Sequence, residues 1–186
     1  MTIPIYTIGY GSRSIEQFVE VLQRYKIAYL LDVRSAPYSR YKPEFSKVEL
    51  ASELQRHGIR YLFMGDTLGG RPDDENCYDE DGSVDYEKIK ATQFYADGID
   101  RIRTAFSQQQ LVALMCSEGR PEECHRSKLI GVTLTDEEIP VIHIDENDTQ
   151  QPQNEIINRL TSGQLPLFGK PTFRSRKRYP RGENET

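Results

Sequence analysis

Residues 116–127 hold the densest set of reactive side chains in the chain: Cys116, Glu118, Arg120, Glu122, Glu123, Cys124, His125 and Arg126. The apolar run 111–115 that precedes them reads as a buried strand, and 128–132 reads as the opening of a helix. Open α/β proteins bind ligands at such strand-to-helix connections, outside the carboxyl ends of the strands. Cys116 sits at a strand end near amides and the cations Arg120, His125 and Arg126, a setting that favours a thiolate. The competing reading makes Cys116 a small core residue, as free cysteines commonly are, and leaves Glu118 as the functional group of that strand end. His125 suits general acid or base work because imidazole titrates near neutrality. Cys116, Cys124 and His125, with Cys77, are soft metal donors, but their spacing matches no ordinary zinc pattern. Adjacent side chains such as Cys124 and His125 point apart in most backbones, so no metal is assigned. No cofactor is identified either.

Three other segments carry candidates. Gly9, Tyr10, Gly11 and Ser12 turn out of a first strand, and glycines there let a backbone approach an anion at the N-terminus of the next helix. Asp32 and Arg34 end a second strand, with Arg40 beyond. Gly69, Gly70 and Arg71 follow a third. The guanidinium forks of Arg34, Arg40, Arg71 and Arg126 match phosphate or carboxylate, which favours a phosphate-bearing ligand. The same arginines also suit an internal network with Asp32, Glu118, Glu122 and Glu123. Asp32 and Glu118 on neighbouring strand ends would form a carboxylate pair able to divide acid and base roles.

The elements that must position these residues alternate. Strands are expected over 3–8, 27–31, 61–64, 111–115 and 140–144. Helices are expected from Ser14, with Gln17 completing a capping box; from Ser46, with Glu49 doing the same, to about His57; over 84–107, with Gly98 as a weak point; over 128–134; and over 154–160. The acidic stretch 73–85 lacks periodicity and reads as a long surface loop or lid. Strands alternating with helices predict a single three-layer α/β domain over 1–162, Rossmann-like or flavodoxin-like, with a mostly parallel sheet of about five strands. Right-handed crossovers then gather all the candidate turns at one sheet edge.

Composition sets the limits. The chain has 186 residues, three cysteines and a net charge of −5. The cysteines do not resemble a disulfide framework, no signal peptide is evident, and no apolar run suits a bilayer; a cytoplasmic protein without a membrane partner is expected. Charge is uneven: residues from Lys170 onward hold six of the 24 basic and two of the 29 acidic residues, leaving a body of −9 with an end of +4. Residues 163–186 therefore read as a flexible basic tail suited to an anionic partner. Phe173 and Tyr179 interleave its cations as base-stacking candidates.

Taken together, Thr7-Ile8-Gly9-Tyr10-Gly11, Asp32-Val33-Arg34 with Pro37 and Ser39-Arg40, Leu68-Gly69-Gly70-Arg71, and Cys116, Glu118, Cys124, His125 and Arg126 resemble the family known as domain of unknown function 488. The resemblance spans roughly the first 145 residues. It implies a single bacterial or archaeal α/β domain and supports the site; it implies no activity. Residues 116–127 and Asp32-Val33-Arg34 faintly resemble rhodanese-type sulfurtransferases and cysteine phosphatases, although nine residues separate Cys116 from Arg126, a longer loop than theirs. In the tail, Gln164, Leu165, Leu167 and Phe168 resemble the pentapeptide by which bacterial replication and repair proteins bind the sliding clamp, departing at Pro166. The alternative is that Leu167 and Phe168 fold back on the domain. These readings predict an enzyme acting on a nucleotide or nucleic acid and recruited through its tail. The alternatives are a non-catalytic nucleotide-binding adaptor and a cysteine-dependent sulfurtransferase or phosphatase.

Overall fold

The computed structural model describes residues 2–164 and 166–179. In chain order the elements are β1 (Ile5–Gly9), α1 (Ile15–Arg24), β2 (Tyr29–Asp32), α2 (Lys47–Arg56), β3 (Arg60–Phe63), α3 (Gly65–Leu68), β4 (Ser83–Asp85), α4 (Tyr86–Lys90) and α5 (Gln93–Ser107). After them come β5 (Val112–Cys116), α6 (Val132–Asp136), β6 (Val141–Ile144), β7 (Gln150–Pro152), α7 (Gln153–Leu160) and β8 (Arg174–Arg178).

Six strands form one sheet in the order β3-β2-β5-β1-β6-β7. The first five are parallel, and β7 adds an antiparallel edge against β6. Side chains alternate across the pleat. Ile8, Leu30, Ala113 and Met115 pack with Phe18 and Leu22 of α1 and Leu50 and Leu54 of α2. Ile5, Leu31, Val112 and Leu114 pack on the other face with Leu68 of α3, Ile99 and Ile102 of α5, and Leu134 of α6. The expected three-layer, Rossmann-like α/β architecture is thus present, with one strand more in the sheet than expected.

This layering locates the crevice. The chain leaves β1 and β2 through helices on one face, whereas it leaves β3 and β5 through helices on the other. β5 lies between β2 and β1, so its outgoing connection diverges from both neighbours. Divergent connections open a crevice at the carboxyl ends of the strands, and Cys116 is the last residue of β5.

Several elements depart from expectation. The long helix over 84–107 is broken: Ser83–Asp85 is a strand, Asp85 caps α4, and Thr92 caps a separate α5 through its side chain. Gly98 is no weak point, because a Cβ there would strike Leu68 Cδ2 at 2.7 Å, and its bareness lets α5 seat against α3. The capping box of Ser14 and Gln17 is formed, but Ser46 offers α2 no side-chain cap and instead accepts from the Ser39 amide. The acidic stretch is not a bare loop: it holds a 3₁₀ turn, Glu75–Cys77, with Cys77 buried, and ends in β4. β4 pairs antiparallel with β8, so this part of the basic tail lies on the domain. Among the described residues no helix is long and apolar enough to cross a membrane.

Candidate functional site

At the carboxyl edge of β2 and β5 lies a crevice of about 280 Å³. Its lining includes Arg34 from the end of β2, Gly70 and Arg71 after α3, and Cys116, Glu118, Cys124 and His125 after β5. Tyr10 from the turn after β1 and Arg176, Lys177 and Tyr179 from the tail complete it.

The floor is built by an unusual backbone. Pro121–Glu123 forms a 3₁₀ turn, Cys124 follows in extended conformation (φ −116°, ψ 151°), and His125 is already helical (φ −64°, ψ −16°). This change of conformation across one peptide turns both side chains the same way. The helix then begins as a π-helical segment, Arg126–Gly131. Gln153 explains it: its Nε2 donates to the Ser127 carbonyl at 2.8 Å, taking an acceptor that an α-helix would give to its own backbone. A Cβ at Gly131 would meet Gln153 Oε1 at 2.4 Å, so glycine makes room for that side chain.

Cys116, Cys124 and His125 are buried, and their donor atoms lie within 4.8 Å of one another. The Cys116 thiol donates to Glu118 Oε2 at 2.9 Å. His125 Nδ1 is 3.6 Å from Cys124 Sγ and 3.9 Å from Cys116 Sγ. Its Nε2 donates to the Val33 carbonyl at 3.0 Å, which fixes the ring. The neighbouring Cys124 sulfur, then burial and the negative charge of Glu118, hold Cys116 well above the usual thiol range. Burial also opposes charge on Cys124, but the nearby Cys116 thiol and the charges of Arg126 and His125 outweigh it and lower that thiol. Burial alone would lower His125; the Cys124 sulfur and Glu118 reverse this and raise it. Of the two thiols, Cys124 is thus the one whose surroundings favour the charged form. Burial raises the Tyr86 and Tyr179 hydroxyls, so both stay protonated at neutral pH.

Arg126 is the largest fully buried side chain among the described residues. It donates to Cys124 Sγ from Nε at 3.3 Å, to Thr7 Oγ1 at 3.1 Å and to the Glu118 carbonyl at 2.6 Å, and has no carboxylate partner among the described residues. Behind it Thr7 Oγ1 lies 2.6 Å from His143 Nδ1, and His143 Nε2 meets Gln153 Oε1. Because Gln153 presents its oxygen, His143 carries its hydrogen on Nε2 and accepts from Thr7. Burial lowers the His143 pKa to about 4, in keeping with that neutral ring.

The other expected site residues divide. Asp32 is fully buried and holds Arg34 through Nε at 2.9 Å and Nη2 at 2.6 Å while accepting from Tyr61 at 2.7 Å. It does not line the crevice, so it forms no carboxylate pair with Glu118 there. Arg34 does line it, and its buried Nη1 has no acceptor among the described residues. Gly70 lies beneath the His125 ring, which a Cβ would meet at 2.7 Å, and Arg71 stacks over Tyr179 at 4.5 Å. Gly69 packs on Ser35 instead.

The turn after β1 is not a phosphate cradle. The Tyr10 and Gly11 amides are taken by the carbonyls of Cys116 and Ser117. A Cβ at Gly9 would fall 1.7 Å from the Glu118 carbonyl oxygen, so this turn braces the 116–127 loop. Ser12 and Arg40 are exposed and outside the crevice. Tyr10 lines the crevice and stacks on Phe45 at 4.3 Å. Of the tail motif, Gln164 is exposed, Leu167 and Phe168 are 94% and 92% exposed, and Leu165 lies outside the described residues.

Sequence reasoning missed the convergence of Cys124 with His125, the placing of Arg176, Lys177 and Tyr179 on the rim, and the place of His143 behind Arg126. The interleaved cations and aromatics of the tail were the only available signal for the rim.

The chain is thus a Rossmann-like α/β protein with a cysteine- and histidine-floored crevice at its topological switch point. It belongs to the family described as Domain of unknown function DUF488, whose model matches residues 14–133. No curated protein and no solved structure matches the chain.

Proposed function

We propose that this protein is an enzyme acting on a nucleotide or nucleic-acid substrate bound in the crevice at the end of β5. One observation carries the reading. Arg34 lines the crevice with a buried guanidinium N–H that lacks an acceptor among the described residues. A buried donor left unpaired is costly, and an anionic ligand would satisfy it. The rim supports the same chemistry. Arg71 and Lys177 line it with no carboxylate partner among the described residues, and Tyr38 and Tyr179 offer ring faces on which a base can stack. Glu118 is the acid-base group of this reading, since it lines the crevice and Asp32 is committed to Arg34 and Tyr61.

The tail supplies recruitment in this proposal. Leu167 and Phe168 are free apolar anchors on a polar segment, suited to a hydrophobic groove such as that of a sliding clamp. Leu167→Ala with Phe168→Ala then abolishes capture by the clamp and leaves crevice binding unchanged.

Titration calorimetry against nucleoside mono- and diphosphates and a short single-stranded oligonucleotide tests the crevice. Salt-sensitive binding that weakens in Arg71→Ala, with product detected by chromatography and lost in Glu118→Gln, is expected. Tight binding of a ligand that is never altered favours the adaptor. Failure of every phosphate-bearing ligand to bind overturns the proposal.

A further inference from the structure

We propose that Cys116, Cys124 and His125 are the three protein ligands of a zinc ion whose fourth position opens into the crevice. In a tetrahedral site with Zn–S of about 2.3 Å and Zn–N of about 2.0 Å, a sulfur and a nitrogen ligand lie about 3.6 Å apart. His125 Nδ1 stands 3.6 Å from one sulfur and 3.9 Å from the other, so the ring nitrogen already occupies a ligand position relative to both. The three donor atoms lie within 4.8 Å of one another, and the soft set of two thiols and an imidazole selects zinc over the hard cations.

The groups behind the ligands fit the same assignment. A metal-binding histidine commonly donates its other N–H to a carbonyl, which fixes the tautomer and aims the free lone pair. His125 Nε2 does this with the Val33 carbonyl. Cys124 Sγ is approached by two N–H groups of Arg126, its backbone amide at 3.5 Å and its Nε at 3.3 Å. Arg126, a fully buried cation without a carboxylate among the described residues, thus spends an N–H on a ligand sulfur, the kind of outer hydrogen bond that holds a metal-bound thiolate in place. The backbone change between Cys124 and His125, enforced by the 3₁₀ turn before and the π-helical segment after, overcomes the tendency of adjacent side chains to diverge.

All three ligands line the crevice, so their outward side is left to water or substrate. Three protein ligands with one open position is the arrangement of catalytic rather than structural zinc. Glu118 accepts the Cys116 S–H at 2.9 Å, so it is placed to take the proton that Cys116 releases on binding the ion, and it stands beside the fourth position as a proton acceptor and not as a ligand. The assignment is independent of what binds at the rim, and metal content is read without any substrate.

The test uses the full chain, purified with a reductant, supplied with zinc and freed of excess. One zinc per chain by elemental analysis is expected, and the cobalt-substituted protein should show sulfur-to-cobalt charge-transfer absorption with the visible bands of a tetrahedral ion. Cys116→Ser, Cys124→Ser and His125→Ala should each lower metal content at least tenfold at matched free zinc, whereas Cys77→Ala and Glu118→Gln should retain it. Wild-type protein that holds no zinc, or a cobalt form without the sulfur-to-cobalt band, overturns the proposal without recourse to any variant. Loss of metal in Glu118→Gln overturns the three-ligand assignment, and a Cys116–Cys124 disulfide persisting in reductant, seen as a mass deficit, overturns the site altogether.

Discussion

The crevice has a floor and a rim made in opposite ways. The floor is laid by the ends of β1, β2 and β5, central strands packed on both faces, and its side chains are buried and doubly held. The rim leans on β4, a strand of three residues paired with β8, and its cations Arg71, Arg176 and Lys177 are exposed. Arg176 alone of these three makes an ion pair among the described residues, with Glu123 at 3.4 Å. A floor of this kind fixes donor geometry before a ligand arrives. A rim of this kind adapts to a ligand, and its exposed pairs add little to stability. Substitutions should therefore damage folding at the floor and binding at the rim.

The severest test is Gly9→Ala. The added methyl would enter the Glu118 carbonyl, a backbone atom that cannot step aside, so a loss of about 3 kcal/mol or more is expected in urea denaturation. A fold that tolerates this change would show that the floor is soft.

Next in size is a pH effect from His143, whose pKa falls from 6.5 to about 4 through burial. The unfolded chain takes up a proton below pH 6.5 that the folded chain refuses until near pH 4, so stability falls across that window, by roughly 3 kcal/mol in all. Denaturation midpoints measured from pH 7 to pH 4 should show this slope, and His143→Gln should reduce it. An equal slope in both proteins would remove His143 from the network behind Arg126.

Thr7→Val deletes the hydroxyl between Arg126 and His143 at nearly constant volume, and about 1–2 kcal/mol should be lost because both neighbours keep polar groups without it. At the rim, Lys177→Ala should change stability by no more than about 0.5 kcal/mol, the usual range for an exposed side chain. Its effect should appear in anion affinity and in the salt dependence of binding, which falls by about one counterion. Comparable thermal destabilisation by Lys177→Ala and Thr7→Val would erase the distinction between floor and rim.

Much of the floor could be read from sequence because it depends on order along the chain. Apolar runs alternating with helical stripes give the layered sheet, and a strand ending at Cys116 places that residue at the crevice. What could not be read depends on directions. Asp32 and Arg34 stand two apart and share a side of the chain, yet only the folded protein reveals that Tyr61 and Arg34 absorb the carboxylate. Gly9 and Gly11 have the composition of an anion-binding turn, but the Tyr10 and Gly11 amides and the bare side of Gly9 go to the neighbouring loop. Cys124 and His125 converge because the backbone passes from extended to helical between them, just ahead of a helix opening that Gln153 reaches from α7. The β4–β8 pairing was hidden for a different reason: three residues are too few to show an alternating pattern.

The position of β1 in the sheet has a consequence for the newborn chain. Its two hydrogen-bonding edges are filled by β5 and β6, with Tyr6 beside Ala113 on one side and Ile142 on the other. As the polypeptide emerges from the ribosome, β1 must wait with both edges bare while β2 and β3 are made. Such pairing across a long stretch of chain is slow to close and leaves sticky strand edges open to other molecules in the meantime. The vulnerable interval in the life of this protein is therefore its synthesis, and it ends only when the last parallel strand takes its place beside the first.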